Sequence, residues 1–172
     1  MRFSPPALAL SLALLTVSSE SFSQKPDALI NPQSVMLASE AKTLVAAKKY
    51  DEAVSVLESA LAVDPRNRGA FIALAQVAQK QELPGKAIRL YREALLLEPN
   101  DIAALAGQGD AMVQKGALAK ARENLARIRQ LCVTACAAQV TLAAAIDKGA
   151  SAPQLSAQAV TPKPVVSEAA PQ

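Results

Sequence analysis

Residues 48–65 read KKYDEAVSVLESALAVDP, and residues 82–99 read ELPGKAIRLYREALLLEP. The two stretches end on Asp64-Pro65 and Glu98-Pro99, 34 residues apart. Ala53 and Ala87, Leu57 and Tyr91, and Ala60 and Ala94 keep the same interval. It continues to Ala121, Leu125 and Ile128 in GALAKARENLARIRQL, residues 116–131. A fixed period of this size marks stacked supersecondary units. The interval also relates Leu37, Glu40, Ala41 and Leu44 to Phe71, Leu74, Ala75 and Ala78, and these to Leu105, Gln108, Gly109 and Met112. Phe71, Leu74, Ala75 and Ala78 are spaced i, i+3, i+4, i+7, one stripe of an amphipathic helix. Ala87, Tyr91 and Ala94 form a second stripe, so each unit is two short helices. Alanine at a facing position lets two backbones approach closely. The proline after each second helix lacks an N–H and has a restricted φ, which ends the pair. Asn67 and Asp101 are placed to cap the helices that follow, and Asn31-Pro32 reads as the cap and first turn of the opening helix.

A 34-residue helix–turn–helix unit with these features resembles the tetratricopeptide repeat family. The resemblance covers about residues 33–133, with repeats at 34–67, 68–101 and 102–134, and the middle repeat is the clearest. It departs at Glu40 and Gln108, where the family prefers a large apolar residue, and at Val133, where proline is expected. The resemblance implies an all-α, right-handed α-solenoid. A seventh helix over residues 135–148, capped by Thr134, is expected to cover the last open apolar face. Residues 33–148 would then form the repeat domain, with a linker at 24–32 before it. The Pro- and Ala-rich tail, 149–172, has little apolar bulk to offset ordering entropy and is expected to be disordered.

Composition narrows the chemistry. The chain has 172 residues, 51% hydrophobic, with two Tyr, three Phe and no Trp, so the core is built from Ala, Leu, Val and Ile. Histidine is absent, which excludes a Ser-His-Asp triad, a Cys-His dyad and His-ligated metal or haem. Asp and Glu are scattered over helix surfaces without a pocket motif, so no enzyme, cofactor or metal is expected.

The first residues read as an address. Arg2 is followed by an apolar run, ALALSLALLTV at residues 7–17, and then by SSESFSQ. Ser21 and Ser23 stand at the −3 and −1 positions of a small-x-small cleavage site. Residues 1–23 are therefore expected to be a secretory signal peptide, and the mature chain to be periplasmic or secreted. No integral membrane segment is expected in the mature chain: residues 131–146 are uncharged but interrupted by Thr134, Gln139 and Thr141.

Cys132 and Cys136 are the two cysteines. Export permits a disulfide. Regular helix geometry holds i and i+4 Cβ atoms about 5–6 Å apart, so a bridge needs a bend, which a cap at Thr134 would supply. The bridge would staple the last helix to the one before it. Free thiols, or a redox pair with Cys136 activated near a helix N-terminus, are the other readings. A metal site lacks ligands.

In the resembling family the first helix of each pair lines the concave side. Carried over residue by residue, this gives Lys42, Gln76 and Asp110 at 34-residue intervals, with Ser39, Gln79, Lys80 and Gln114 beside them. The family's carboxylate clamp of Lys, Asn and Arg is not reproduced there. Residues 27–65 carry net charge −3 and residues 66–131 net +5. Lys86, Arg89, Arg92, Lys120 and Arg127 form a basic convex patch, either a solvated face or a guide for an acidic partner. With few aromatics for base stacking, no nucleic-acid partner is expected. The expected function is a non-enzymatic interaction module or scaffold of the bacterial cell envelope, with a peptide or helix of a protein partner in its groove and a place in an envelope complex. The alternative is a redox or oxidative-folding accessory acting through Cys132 and Cys136.

Overall fold

The computed structural model describes residues 29–134 and 136–151. The expected signal segment and the tail from residue 152 onward lie outside them. The described residues form seven helices and no strand: α1 (Pro32–Ala46), α2 (Tyr50–Val63), α3 (Arg68–Lys80), α4 (Pro84–Leu97), α5 (Ile102–Gln114), α6 (Leu118–Leu131) and α7 (Ala137–Ser151). None is long and apolar enough to cross a membrane.

Side-chain caps open the first helix of each pair. Asn31 Oδ1 accepts from the Gln33 amide (2.9 Å), Asn67 Oδ1 from Ala70 (3.0 Å) and Asp101 Oδ1 from Ala104 (2.8 Å). Each satisfies a backbone donor that the first turn leaves unpaired. The second helices α2 and α4 stop where Asp64 and Glu98 turn extended before Pro65 and Pro99. Within each pair the turn is the same three times. Lys48 and Glu82 at φ 59° and Gly116 at φ 78° occupy the left-handed region. The next amide in each case reaches back across the turn, from Lys49 to Leu44 O (2.9 Å), Leu83 to Ala78 O (2.8 Å) and Ala117 to Met112 O (2.8 Å). This is the six-to-one bond of a Schellman ending. Lys48 and Glu82 each bear about 1 kcal/mol of left-handed backbone cost that glycine avoids at position 116.

Each core cluster joins a pair to the first helix of the next. Leu57, Ala41 and Ala60 pack with Leu74 and Val77; Ala75, Ala87 and Tyr91 pack with Ala104 and Ala111; Leu105, Leu125 and Ile128 pack with Leu142 and Ile146. The first helices approach one another in series, α1 with α3, α3 with α5 and α5 with α7, while among the described residues no Cα atoms of α2 and α4, or of α4 and α6, come within 8 Å. The inner row is therefore the more closely spaced. The stack bends toward it, and α1, α3, α5 and α7 form the concave face.

The register explains two departures from the repeat pattern. Leu74 is buried under α2. Glu40, its equivalent in α1, is exposed: among the described residues no helix stands before α1 to cover it. Gln108, the equivalent in α5, is buried, and its polarity is matched: Nε2 donates to Ile88 O (3.3 Å), and Oε1 accepts from Asn124 Nδ2 (3.0 Å). Asn124 also donates to Leu105 O (3.1 Å), so the amide pair ties α4, α5 and α6 together without an orphan group.

The last helix differs from expectation at both ends. It begins at Ala137, and the Cys136 carbonyl accepts the first helical bond, from Val140 N (3.2 Å). Thr134 lies in an exposed bend before it rather than at the cap. The helix also runs through Gly149 to Ser151. Gly149 is a packing site and not a terminator, since a Cβ there would lie 2.8 Å from Val113 Cγ1. Leu131 ends α6, Cys132 is extended, and Cys132 and Cys136 form a disulfide with Cα atoms 6.1 Å apart. The bridge spans the bend between α6 and α7 and rests on the third core cluster. Reducing it, or making Cys132→Ser with Cys136→Ser, is expected to cost about 2 kcal/mol. Hydrogen exchange should accelerate in α7 amides and leave α3 unchanged.

At the other end, the buried Asp64 carboxylate locks the first repeat. It accepts from Arg66 Nε (3.0 Å) and Nη2 (2.9 Å), and from the backbone amides of Asn31 (2.9 Å) and Arg66 (3.0 Å). The Arg66 side chain first, and the two amides after it, hold this carboxyl well below the usual carboxylate range. The ionised form is thus favoured by folding. Its stabilisation is complete above the unfolded value, about pH 4, and is lost as pH falls toward the folded value. Asp64→Asn is expected to melt below the wild type at neutral pH. The gap should close in melts recorded from pH 4 downward.

Candidate functional site: the concave groove

Ser39, Lys42 and Gln76 line a cavity of about 540 Å³ between α1 and α3, floored by Ala38, Ala41, Ile72 and Ala73 and flanked by Val35 and Val45. This size suits a few side chains of a bound segment. Gln76 also borders a second depression, of about 200 Å³, with Gln79, Lys80, Asp110 and Gln114 between α3 and α5. Asp110 continues into a third, of about 250 Å³, shared by Ala106, Gly107, Ala138, Thr141 and Leu142. All seven groove residues expected from the sequence therefore lie along one strip. Ser39, Lys42, Gln76, Lys80 and Gln114 are exposed, and Gln79 and Asp110 are half-buried.

The half-buried pair is wired together. Tyr91 OH donates to Gln79 Oε1 (2.7 Å), which turns the Gln79 amide nitrogen toward Asp110 Oδ2 (2.8 Å). Gln114 Nε2 donates to the same oxygen (2.8 Å). Burial, reinforced by the Asp110 charge, pushes the Tyr91 hydroxyl well above the usual tyrosine range, so it stays a donor at neutral pH. Gly107 makes room for the ring, because a methyl there would run into the Tyr91 side chain.

The convex basic residues are less uniform than the sequence suggested. Arg89, Arg92 and Lys120 are exposed and Lys86 is half-buried. Arg127 does not stand free: its Nη2 donates to Pro99 O (2.7 Å), tying α6 to the turn between α4 and α5.

Sequence reasoning did not find Tyr91 as part of the groove, because its repeat position marks it only as core. It also passed over Val35, although Val35, Ala38, Ser39 and Lys42 repeat i, i+3, i+4, i+7 on one face of α1. Gly107 carries no sequence signal, since its contact lies on another helix.

The tetratricopeptide repeat model matches residues 36–77. The chain is also similar to solved structures. With the TPR2B domain of yeast Sti1 in its pHsp70 complex it shares 17% identity, covering 70% of this chain and 98% of that one, at TM-score 0.64. For the TPR domain of Aspergillus fumigatus Sgt2 the values are 21%, 81%, 92% and 0.62. For the Yersinia enterocolitica type III secretion chaperone SycD with a peptide of the translocator YopD they are 18%, 67%, 91% and 0.61. These likenesses identify the fold as an α-solenoid of helix–turn–helix repeats and support the tetratricopeptide repeat family. No curated protein matches the chain.

Proposed function

We propose that the chain is a non-enzymatic protein-interaction module that takes a peptide or helix of a protein partner along its concave face. The observation that carries this reading is the strip itself: exposed polar side chains from α1, α3 and α5 alternate with small apolar ones across three connected depressions. A segment laid there meets amide donors for its backbone and apolar seats for its side chains. The SycD structure similar to this chain holds a peptide, which supports the same use of the fold. The place of action we propose is the bacterial envelope, supported by the charged start, apolar run and small-x-small site of residues 1–23. In that setting Cys132 and Cys136 act as a structural staple. Intact-mass measurement on protein from its native compartment tests export: the species lacking residues 1–23 is expected, and a cytoplasmic species retaining Met1 would contradict it.

Gln76→Glu tests the groove. It preserves size and helix propensity but replaces an amide donor with a charge at the strip's centre. Leaving a partner carbonyl unpaired costs about 1–3 kcal/mol, roughly a 5- to 150-fold loss of affinity by calorimetry. Arg89→Glu with Arg92→Glu is expected to alter chiefly the association rate and its salt dependence. Normal binding by Gln76→Glu, with loss of the partner in the arginine variant, would move the site to the convex face.

A further inference from the structure

We infer that the centre of the groove receives a basic side chain, so that the partner segment is an extended peptide carrying an aliphatic residue and a Lys or Arg three positions apart. This rests on the groove reading above and adds the chemistry of the occupant. Asp110 is half-buried on the groove wall, and both of its donors, Gln79 and Gln114, bind Oδ2. Among the described residues Oδ1 accepts no hydrogen bond, and no cation stands within ion-pair distance of the carboxylate. Neutral amides orient the carboxylate without cancelling its charge. Tyr91, through Gln79, fixes that orientation from beneath. The result is a preset anion in a partly desolvated depression, where a charge-assisted bond is stronger than in water.

The neighbouring cavity between α1 and α3 carries no carboxylate and is mainly aliphatic: Val35, Val45 and Ile72 lie over alanines, with Ser39, Lys42 and Gln76 in its polar lining. Adjacent helices pack about 8–10 Å apart, and a chain in the extended polyproline II form advances about 3.1 Å per residue and returns a side chain to the same face at every third position. Two side chains of one peptide, three positions apart, therefore reach the two sites together. Lys80 borders the anionic depression from the last turn of α3, exposed, and its charge opposes a bound cation.

Selection of a displayed library of random linear dodecapeptides on the wild type and on Asp110→Asn, both checked for fold by circular dichroism, tests this. The wild type is expected to enrich an aliphatic residue three positions from Lys or Arg, and Asp110→Asn to keep the aliphatic preference alone. For a synthetic peptide of the enriched sequence, changing its basic residue to Gln is expected to weaken binding by fluorescence anisotropy on the order of tenfold on the wild type and less than twofold on Asp110→Asn. Lys80→Ala is expected to tighten it. Enrichment of acidic residues, or an equal effect of the Gln change on both proteins, would overturn the basic-side-chain inference and leave the groove reading standing. If neither protein enriched any peptide, the groove reading would fall with it.

Discussion

Gly107→Ala is expected to destabilise the protein by about 2–3 kcal/mol, an overpacking cost at the upper end of the usual range. The added methyl would enter the Tyr91 ring, which is buried between α3, α4 and α5 and has no open side to yield into. The ring must turn, and the Tyr91 hydroxyl then loses Gln79 Oε1. The same change therefore lowers the melting temperature, on the order of 10 °C, and releases the Gln79 amide that orients Asp110. Scanning calorimetry reads the first effect. Chemical shifts of the Gln79 and Gln114 side-chain amides read the second. A variant that melted with the wild type would place Tyr91 elsewhere and remove the bracing of the groove.

Ending the chain after Leu131 is expected to have a still larger effect. It removes the Leu142 and Ile146 side chains and strips the cover from Leu105, Leu125 and Ile128. Uncovering side chains of this kind costs about 1.5–3 kcal/mol each when complete, so partial exposure of several sums to roughly 5 kcal/mol. The loss falls on one end of a stack whose units contact only their neighbours. Exchange protection in α5 and α6 is therefore expected to collapse while α1, α2 and α3 retain much of theirs. Uniform loss along the chain would mean a single cooperative core in place of a stack.

The helices and their pairing were readable because the repeat period, the caps and the prolines all act locally. Asn31, Asn67 and Asp101 bond amides two or three residues ahead, and Pro65 and Pro99 act on their own turns. The inner row of groove residues came from the resemblance to the tetratricopeptide repeat family, carried over position by position along that register. What stayed hidden depends on contacts between helices. Gln108 looks like a defect in the repeat until Asn124 is seen to face it from α6. Lys48 and Glu82 adopt the conformation of Gly116 without being glycine, because the pair turn imposes it. Gly149 sits near the chain's change of composition and reads as a stop, yet the side chains of Val113 and Leu118 make it an inward-packing position. The start of α7 at Ala137 follows the disulfide and the Cys136 carbonyl, and Thr134 has no part in it.

The central claim is that the concave strip holds the partner. A photoreactive amino acid in place of Gln76, and in a separate variant in place of Arg92, reports which surface touches it in the native compartment. Both positions are exposed in the free chain, so neither substitution disturbs the core. Irradiation is expected to give a discrete covalent adduct from position 76 and none from position 92. An adduct from position 92 alone would put the partner on the convex face and contradict the groove.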